Sequence, residues 1–360
     1  MKFGLFFINE RAPGASEEQV FSEGLEQCRL ADELGYDVLW LGEHHFSPYG
    51  TMPDTMVFAA AVSQLTKDIR IGTAVIVPTF QHPIRVAEQV AMLDLLSGGR
   101  FWLGVGRGYQ QREFKGFGIS QNESKSRFRE SVTIIEGLLR NPTFTYEGEF
   151  WRVNDLGITP RPDRDIPIYV AVSRTPESFD WAVEKNFGVL VGNPYSIDSG
   201  NEGAQEMYSA AQRAAGKPES GENAWGTLNN VFVHENSQSA KDIFEKTWAV
   251  GNEYLWKYAR VVEEGEEIPD DYKHYAGWKD MIHTQEYKSI WDSPSTLVGS
   301  PEEIVDRLGN LAELSGTIDK FILWMNRGGS IPQKDVMKSL ELFATEVMPK
   351  FHEPVRAGKS

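Results

Sequence analysis

Two periodicities take turns along this chain. Short, nearly continuous apolar runs alternate with longer stretches in which apolar residues return every three or four positions. The first pattern belongs to strands buried on both faces, the second to helices with one face against a core. Phe3 to Asn9, Asp37 to Gly42, Ile69 to Val77, Phe101 to Val105, Ile166 to Val172, Gly188 to Val191, Trp225 to His234 and Ile318 to Met325 read as strands. Glu17 to Leu34, Thr55 to Thr66, Pro83 to Leu96, Ser124 to Leu139, Pro176 to Lys185, Glu202 to Ala215, Pro301 to Leu314 and Lys334 to Met348 read as helices. The breakers agree: Gly35 stops the first helix, Pro78 the third strand, and Ser97-Gly98-Gly99 the third helix. Phe144 to Arg152 reads as a small β-hairpin appended to the helical return.

Eight strands, each followed by a helix, predict an α/β fold of the (β/α)8 TIM-barrel type, with an open doubly wound sheet as the alternative. No Pro/Gly/Ser-rich linker divides residues 1–360, so a single domain is expected. Residues 252–300 stand apart. They are rich in Trp, Tyr, Glu and Lys and separate the seventh strand from its helix, so they predict either a mobile lid or a dedicated subdomain.

Composition narrows the function classes. The formal net charge is −16 and no Lys/Arg block occurs, which argues against nucleic acid or an anionic membrane as partner. One cysteine, Cys28, excludes an intrachain disulfide and a multi-cysteine zinc site. It lies in a helical pattern and reads as a small buried hydrophobe. The apolar run Phe3 to Ile8 is too short for a signal-peptide core, and no stretch reaches the length of a membrane span. A cytoplasmic location is expected.

Barrels of this kind collect their chemistry at the C-terminal ends of the strands. Glu43-His44-His45-Phe46 follows the second strand directly. Imidazole has the unperturbed pKa nearest neutrality, which suits a proton carrier; the plainer reading is a polar pair that holds a loop. Gly104-Val105-Gly106-Arg107-Gly108-Tyr109 ends the fourth strand. It lets backbone approach a ligand and supplies a guanidinium, but it lacks GxGxxG spacing and no convincing helix follows at once. Ser173-Arg174-Thr175-Pro176-Glu177-Ser178 opens a helix and is either a phosphate cradle or an ordinary N-cap, with Thr175 capping and Glu177 complementing the dipole. A metal held by His44, His45 and His82 is not expected, because adjacent residues at a strand end point apart and HExxH is missing.

Leu41-Gly42-Glu43-His44-His45-Phe46, Gly72-Thr73-Ala74-Val75-Ile76-Val77-Pro78 and Gly99 to Tyr109 together resemble the bacterial luciferase-like flavin monooxygenases; His82-Pro83 and Glu346-Val347-Met348-Pro349 fit as well. The resemblance covers essentially the whole chain. It implies a barrel that binds reduced FMN (FMNH2), reacts it with O2 to a C4a-peroxide, and oxygenates a small apolar organic substrate. By motif, His44 matches the catalytic histidine. Ala74-Val75 matches the segment under the isoalloxazine, where a non-proline cis peptide is common. Gly106, Arg107, Tyr109, Ser173, Arg174, Thr175 and Ser178 fall in the cofactor-binding segments. His45, Phe46, Trp278 and Trp324 are candidates for the substrate pocket, and residues 252–300 match the mobile loop. The family also implies a separate flavin reductase as FMNH2 supplier and a homo- or heterodimer. Gly106 departs from the luciferase α subunits, which carry a cysteine there. A deazaflavin-dependent dehydrogenase of the same barrel family and a non-catalytic flavin-binding subunit are the competing readings.

Overall fold

The computed structural model describes residues 1–172, 175–192, 200–218, 226–275, 291, 293, 295–314 and 320–352. In chain order the elements are β1 (Lys2–Phe7), α1 (Glu17–Glu33), β2 (Val38–Leu41), α2 (Thr55–Leu65), β3 (Arg70–Thr73), α3 (Pro83–Leu96), β4 (Phe101–Val105), α4 (Gln111–Phe117) and α5 (Ser124–Arg140). A hairpin of β5 (Phe144–Glu147) and β6 (Arg152–Leu156) follows, then β7 (Ile168–Ala171), α6 (Pro176–Glu184), β8 (Gly188–Val191) and α7 (Gly200–Ala214). The chain continues through β9 (Gly226–Val233), α8 (Ser237–Tyr258), β10 (Thr296–Gly299), α9 (Pro301–Leu314), β11 (Lys320–Trp324) and α10 (Gln333–Leu342).

Parallel pairing runs β1-β2-β3-β4-β7-β8-β9-β11 and returns from β11 to β1, which closes an eight-stranded barrel as the alternating pattern predicts. The open sheet is thereby excluded. The barrel interior is filled by Val38, Trp40, Trp102, Tyr169, Leu190 and Ile322. Trp40 meets Tyr169 edge-on at 5.2 Å and Trp102 at 5.9 Å. These large rings fit because the facing inward positions are glycine: a Cβ on Gly72 would lie 2.5 Å from the Trp40 ring, and one on Gly188 2.3 Å from Tyr169. Each such ring removes well over 100 Å² from water, about 1.5–3 kcal/mol of transfer free energy apiece. A larger core, from Phe3 to Met348, packs the helices on the outside of the barrel. Cys28 is buried in it, and burial pushes its thiol pKa up, so it acts as a hydrophobe.

Four expectations need correction. The third strand ends at Thr73, short of Val77. There the Thr73 hydroxyl bonds the Gly104 carbonyl and amide at 2.7 and 2.8 Å, replacing ladder bonds, and only the single bridge Ile76 to Val105 continues the pairing. A helix, α4, does follow the Gly106–Tyr109 loop. The hairpin extends to Leu156, beyond Arg152. Asn252 lies inside α8, and β10 occupies 296–299, so the insertion is narrower than residues 252–300. Strand β9 explains this: its first half pairs with β8 and β11 in the barrel, and its second half, Asn230–Val233, swings out to pair with β10.

Candidate active site

Most barrel residues below the mouth are buried, yet Ala171 and Gly192, at the C-terminal ends of β7 and β8, are exposed. Ala74, Val75, Leu228 and Phe6, on neighbouring strand ends, are partly exposed. Small side chains at Ala74, Ala171 and Gly192 open the barrel mouth above the Trp40–Trp102–Tyr169 floor.

His44 sits at one side of this mouth. Its Nδ1 lies 3.1 Å from Glu113 Oε1 and 2.9 Å from the Gln110 side-chain amide. Glu113, on α4, is 1% exposed, and the same Oε1 accepts the His45 N–H at 2.9 Å. The structure sets Gln110 Nε2, a donor, against this nitrogen; a proton on Nδ1, which the buried carboxylate calls for, needs that amide turned about so that Oε1, otherwise buried without a hydrogen bond, accepts. This leaves Nε2 as the ring atom able to take or give a proton. The Tyr49 and Tyr109 rings flank the imidazole at 4.8 and 6.1 Å.

Behind His44, the Ala74–Val75 peptide bond is cis. The Val75 carbonyl accepts the Glu43 N–H at 3.1 Å, tying this turn to the second-strand loop. Gly106 faces Val75: a Cβ there would come 2.4 Å from Val75 Cγ2. The valine methyl thus occupies the space that a side chain at position 106 would take.

His45 points the other way. Its Nε2 bonds Glu43 Oε1 at 2.9 Å, and its ring lies among Phe46, Phe80 and Phe117. Glu43 is almost wholly buried, and burial raises its pKa, opposed by the His45 bond and the Val77 N–H. His45 and Phe46 therefore build the wall of the second-strand loop, with Phe46 itself 54% exposed and at a φ of 60°. Trp324 lies across the mouth, edge-on to Phe6 at 5.3 Å. Trp278 is outside the described residues, as are Ser173 and Arg174. His82 caps α3, its Nδ1 accepting the Ile84 N–H at 3.3 Å.

The opposite side of the mouth is cationic. Thr175 is the N-cap residue of α6, but its side chain does not cap the helix; its Oγ1 lies 2.7 Å from Ser178 Oγ. The ordinary-cap reading of Thr175 is thereby corrected: among the described residues no side chain caps α6, and the Ser178 N–H donates to the Thr175 carbonyl at 2.9 Å. Lys125 and Arg129 of α5 reach this helix start through Glu177, at 2.9 and 3.6 Å. The Lys125 bond is the main reason the Glu177 carboxyl lies below its usual pKa, and Arg107 also acts on both Glu177 and Arg129. Hydroxyls and three cations thus gather at the start of α6, Lys125 and Arg129 paired with Glu177 and Arg107 with Asp271.

Sequence reasoning misses Gln110, Glu113, Lys125 and Arg129. A signal existed for the last two, a basic pair four apart at the start of the fourth predicted helix. None existed for Glu113, whose helix carries too few apolar positions to declare a face.

The family described as luciferase-like monooxygenase matches residues 1–317. The oxygenase component of the flavin-dependent trigonelline monooxygenase of Acinetobacter baylyi is 28% identical over 98% of this chain and 96% of its own. An alkanal monooxygenase alpha chain of Photorhabdus luminescens is 27% identical over 99% of both chains. Among solved structures, the oxygenating constituent of 3,6-diketocamphane monooxygenase from Pseudomonas putida, a type II Baeyer-Villiger enzyme in complex with FMN, superposes with a TM-score of 0.80 at 23% identity, covering 98% of this chain and 99% of that one. No helix among the described residues is long and apolar enough to cross a membrane. The order of strands, the histidine at the second strand end and the family match agree, and the chain belongs to the luciferase-like monooxygenase family.

Proposed function

We propose that this protein is the oxygenase of a two-component system. It takes reduced FMN from a separate flavin reductase and places one atom of O2 on a small apolar organic substrate. The observation that carries this reading is a carboxylate-fixed imidazole at the barrel mouth together with a helix start that hydroxyls and cations surround. The trigonelline enzyme, by name the oxygenase component of a flavin-dependent monooxygenase, supports the division of labour, and the FMN complex of the camphane enzyme supports the cofactor.

Bound reduced flavin supplies the two electrons that let one oxygen atom enter the product while the other leaves as water. Arg107, Lys125, Arg129, Thr175, Ser178 and the first turn of α6 would hold its phosphate. Ala74 and Val75, partly exposed, would receive the ring system, with the buried Gly106 behind Val75. His44 moves a proton at Nε2, and Glu113 keeps Nδ1 protonated so that the ring enters each cycle in one tautomer. Phe6, Trp324 and the aromatic floor keep water scarce where oxygen chemistry is done. Substrates without charge fit these walls best.

The test is an anaerobic titration. Reduced FMN is expected to bind more tightly than oxidised FMN, and oxygen admitted with a substrate is expected to yield oxygenated product. Binding of reduced deazaflavin in place of reduced FMN would sink the proposal.

A further inference from the structure

Downstream of α8, residues 259–275 run across the loop that follows β4. The Gln111 N–H donates to the Arg260 carbonyl at 3.2 Å, Gln121 Nε2 to the Val261 carbonyl at 3.0 Å, and the Glu263 N–H to Gln111 Oε1 at 2.7 Å. Lys115 pairs with Glu266. The strap ends on Arg107. Its guanidinium lies over the Tyr272 ring at 4.1 Å, donates from Nη2 to the Asp271 carbonyl at 3.2 Å, and holds Nη1 3.7 Å from Asp271 Oδ2. Tyr272 is fully buried, its hydroxyl 2.9 Å from the Gly108 carbonyl and 3.0 Å from Ser124 Oγ.

Arg107 is one of the groups that would hold the cofactor's phosphate, and a carboxylate already stands at its edge. Among the described residues, the other charged groups facing it are Arg129 on α5 and Glu177 on α6. Arg107 is 23% exposed, so solvent screens these charges only in part. A phosphate dianion and the Asp271 carboxylate on one guanidinium repel each other. The planar stack on Tyr272 leaves the donor edge of the guanidinium turned outward for either anion.

We propose that Asp271 sets how strongly the cofactor's phosphate is held, by competing with it for the Arg107 guanidinium, while Tyr272 keeps that guanidinium in place. This rests on Arg107 as a phosphate-binding group. It makes the strap part of the cofactor site: phosphate arrival releases Asp271, and phosphate departure lets it return.

Fluorescence titrations of the full chain with FMN and with riboflavin, in low-salt buffer free of phosphate, decide the matter. Asp271→Asn is nearly isosteric and keeps the backbone contact to Arg107. It is expected to tighten FMN binding about three- to fivefold, the upper scale of a partly exposed charge pair, and to leave riboflavin unchanged. The gain should shrink at high salt. Tyr272→Phe, which retains the ring and loses the hydroxyl bonds, is expected to loosen FMN and spare riboflavin. Asp270→Asn, at the neighbouring exposed acid paired with Lys273, should change neither. Unchanged or weaker FMN binding in Asp271→Asn, or an equal gain for both ligands, overturns the competition. Arg107→Ala separates the two failures. If it weakens FMN and riboflavin alike, the phosphate assignment itself is wrong; if it weakens FMN alone while Asp271→Asn is silent, only the competition is wrong.

Discussion

Glu10 is a carboxyl placed where water cannot reach it. It is 6% exposed, its Oε2 accepts the Gly328 N–H at 2.7 Å, and burial pushes its pKa up to about 8, with that N–H, Arg327 and the Trp324 indole pulling it back. The folded protein therefore keeps a proton that the unfolded chain gives up above its ordinary value of 4.5. Stability is lost as pH rises through this window and levels off beyond it. Glu10→Gln, which preserves the shape, is expected to be about 2–4 kcal/mol more stable relative to wild type at pH 8 than at pH 5. Urea unfolding at the two pH values measures this; parallel pH profiles for both proteins would refute it. At the same scale, His44 is legible in the sequence because histidine is scarce and its place at a strand end is special. Its partner is not legible: Glu113 lies 69 positions on and reaches the imidazole only through the fold.

Strands and helices repeat this contrast. The barrel strands are legible because a strand buried on both faces is nearly all apolar, and because Gly and Pro mark its ends. Helix α4 escapes notice because it is short and polar, held by its contacts more than by its own pattern. Strand β10 escapes because four residues carry no periodicity. Contacts between elements set the shape of the mouth, and the ends of β3 and β4 show how tightly. Gly106→Ala would drive a methyl into Val75 and is expected to cost about 1–3 kcal/mol, the usual range for overpacking. Val75→Ala in the same chain should return most of that loss. A double-mutant cycle by chemical denaturation should show a coupling of about 1 kcal/mol or more. Strict additivity would mean that the two positions do not share the space.

For the whole molecule, the closed barrel follows from the count of alternating units, whereas any assembly leaves only a trace in the pattern. Helices α2 and α3 pack side by side, and Val57, Leu65, Met92, Leu95 and Leu96 on them are 45–67% exposed. We propose that these apolar residues, gathered on neighbouring helices, form the face through which this chain pairs in a dimer. Leu95→Glu is expected to shift sedimentation from dimer to monomer with the flavin site intact, since Leu95 lies in the last turn of α3, which leads into the base of β4. A wild-type protein that sediments as a monomer at micromolar concentration would remove this idea. The Met1 amine donates to the Phe351 carbonyl at 3.3 Å, and the Phe3 ring lies 5.4 Å from that of His352. Met1 and His352 thus meet at the base of β1, on the side away from His44. For an engineer who wishes to supply reduced flavin from a fused reductase, a donor joined at Met1 would sit behind the barrel, and reduced flavin would have to travel around it. Closing residues 1 and 352 with a short linker and reopening the chain at a mouth loop would bring the donor to the side where its product is used.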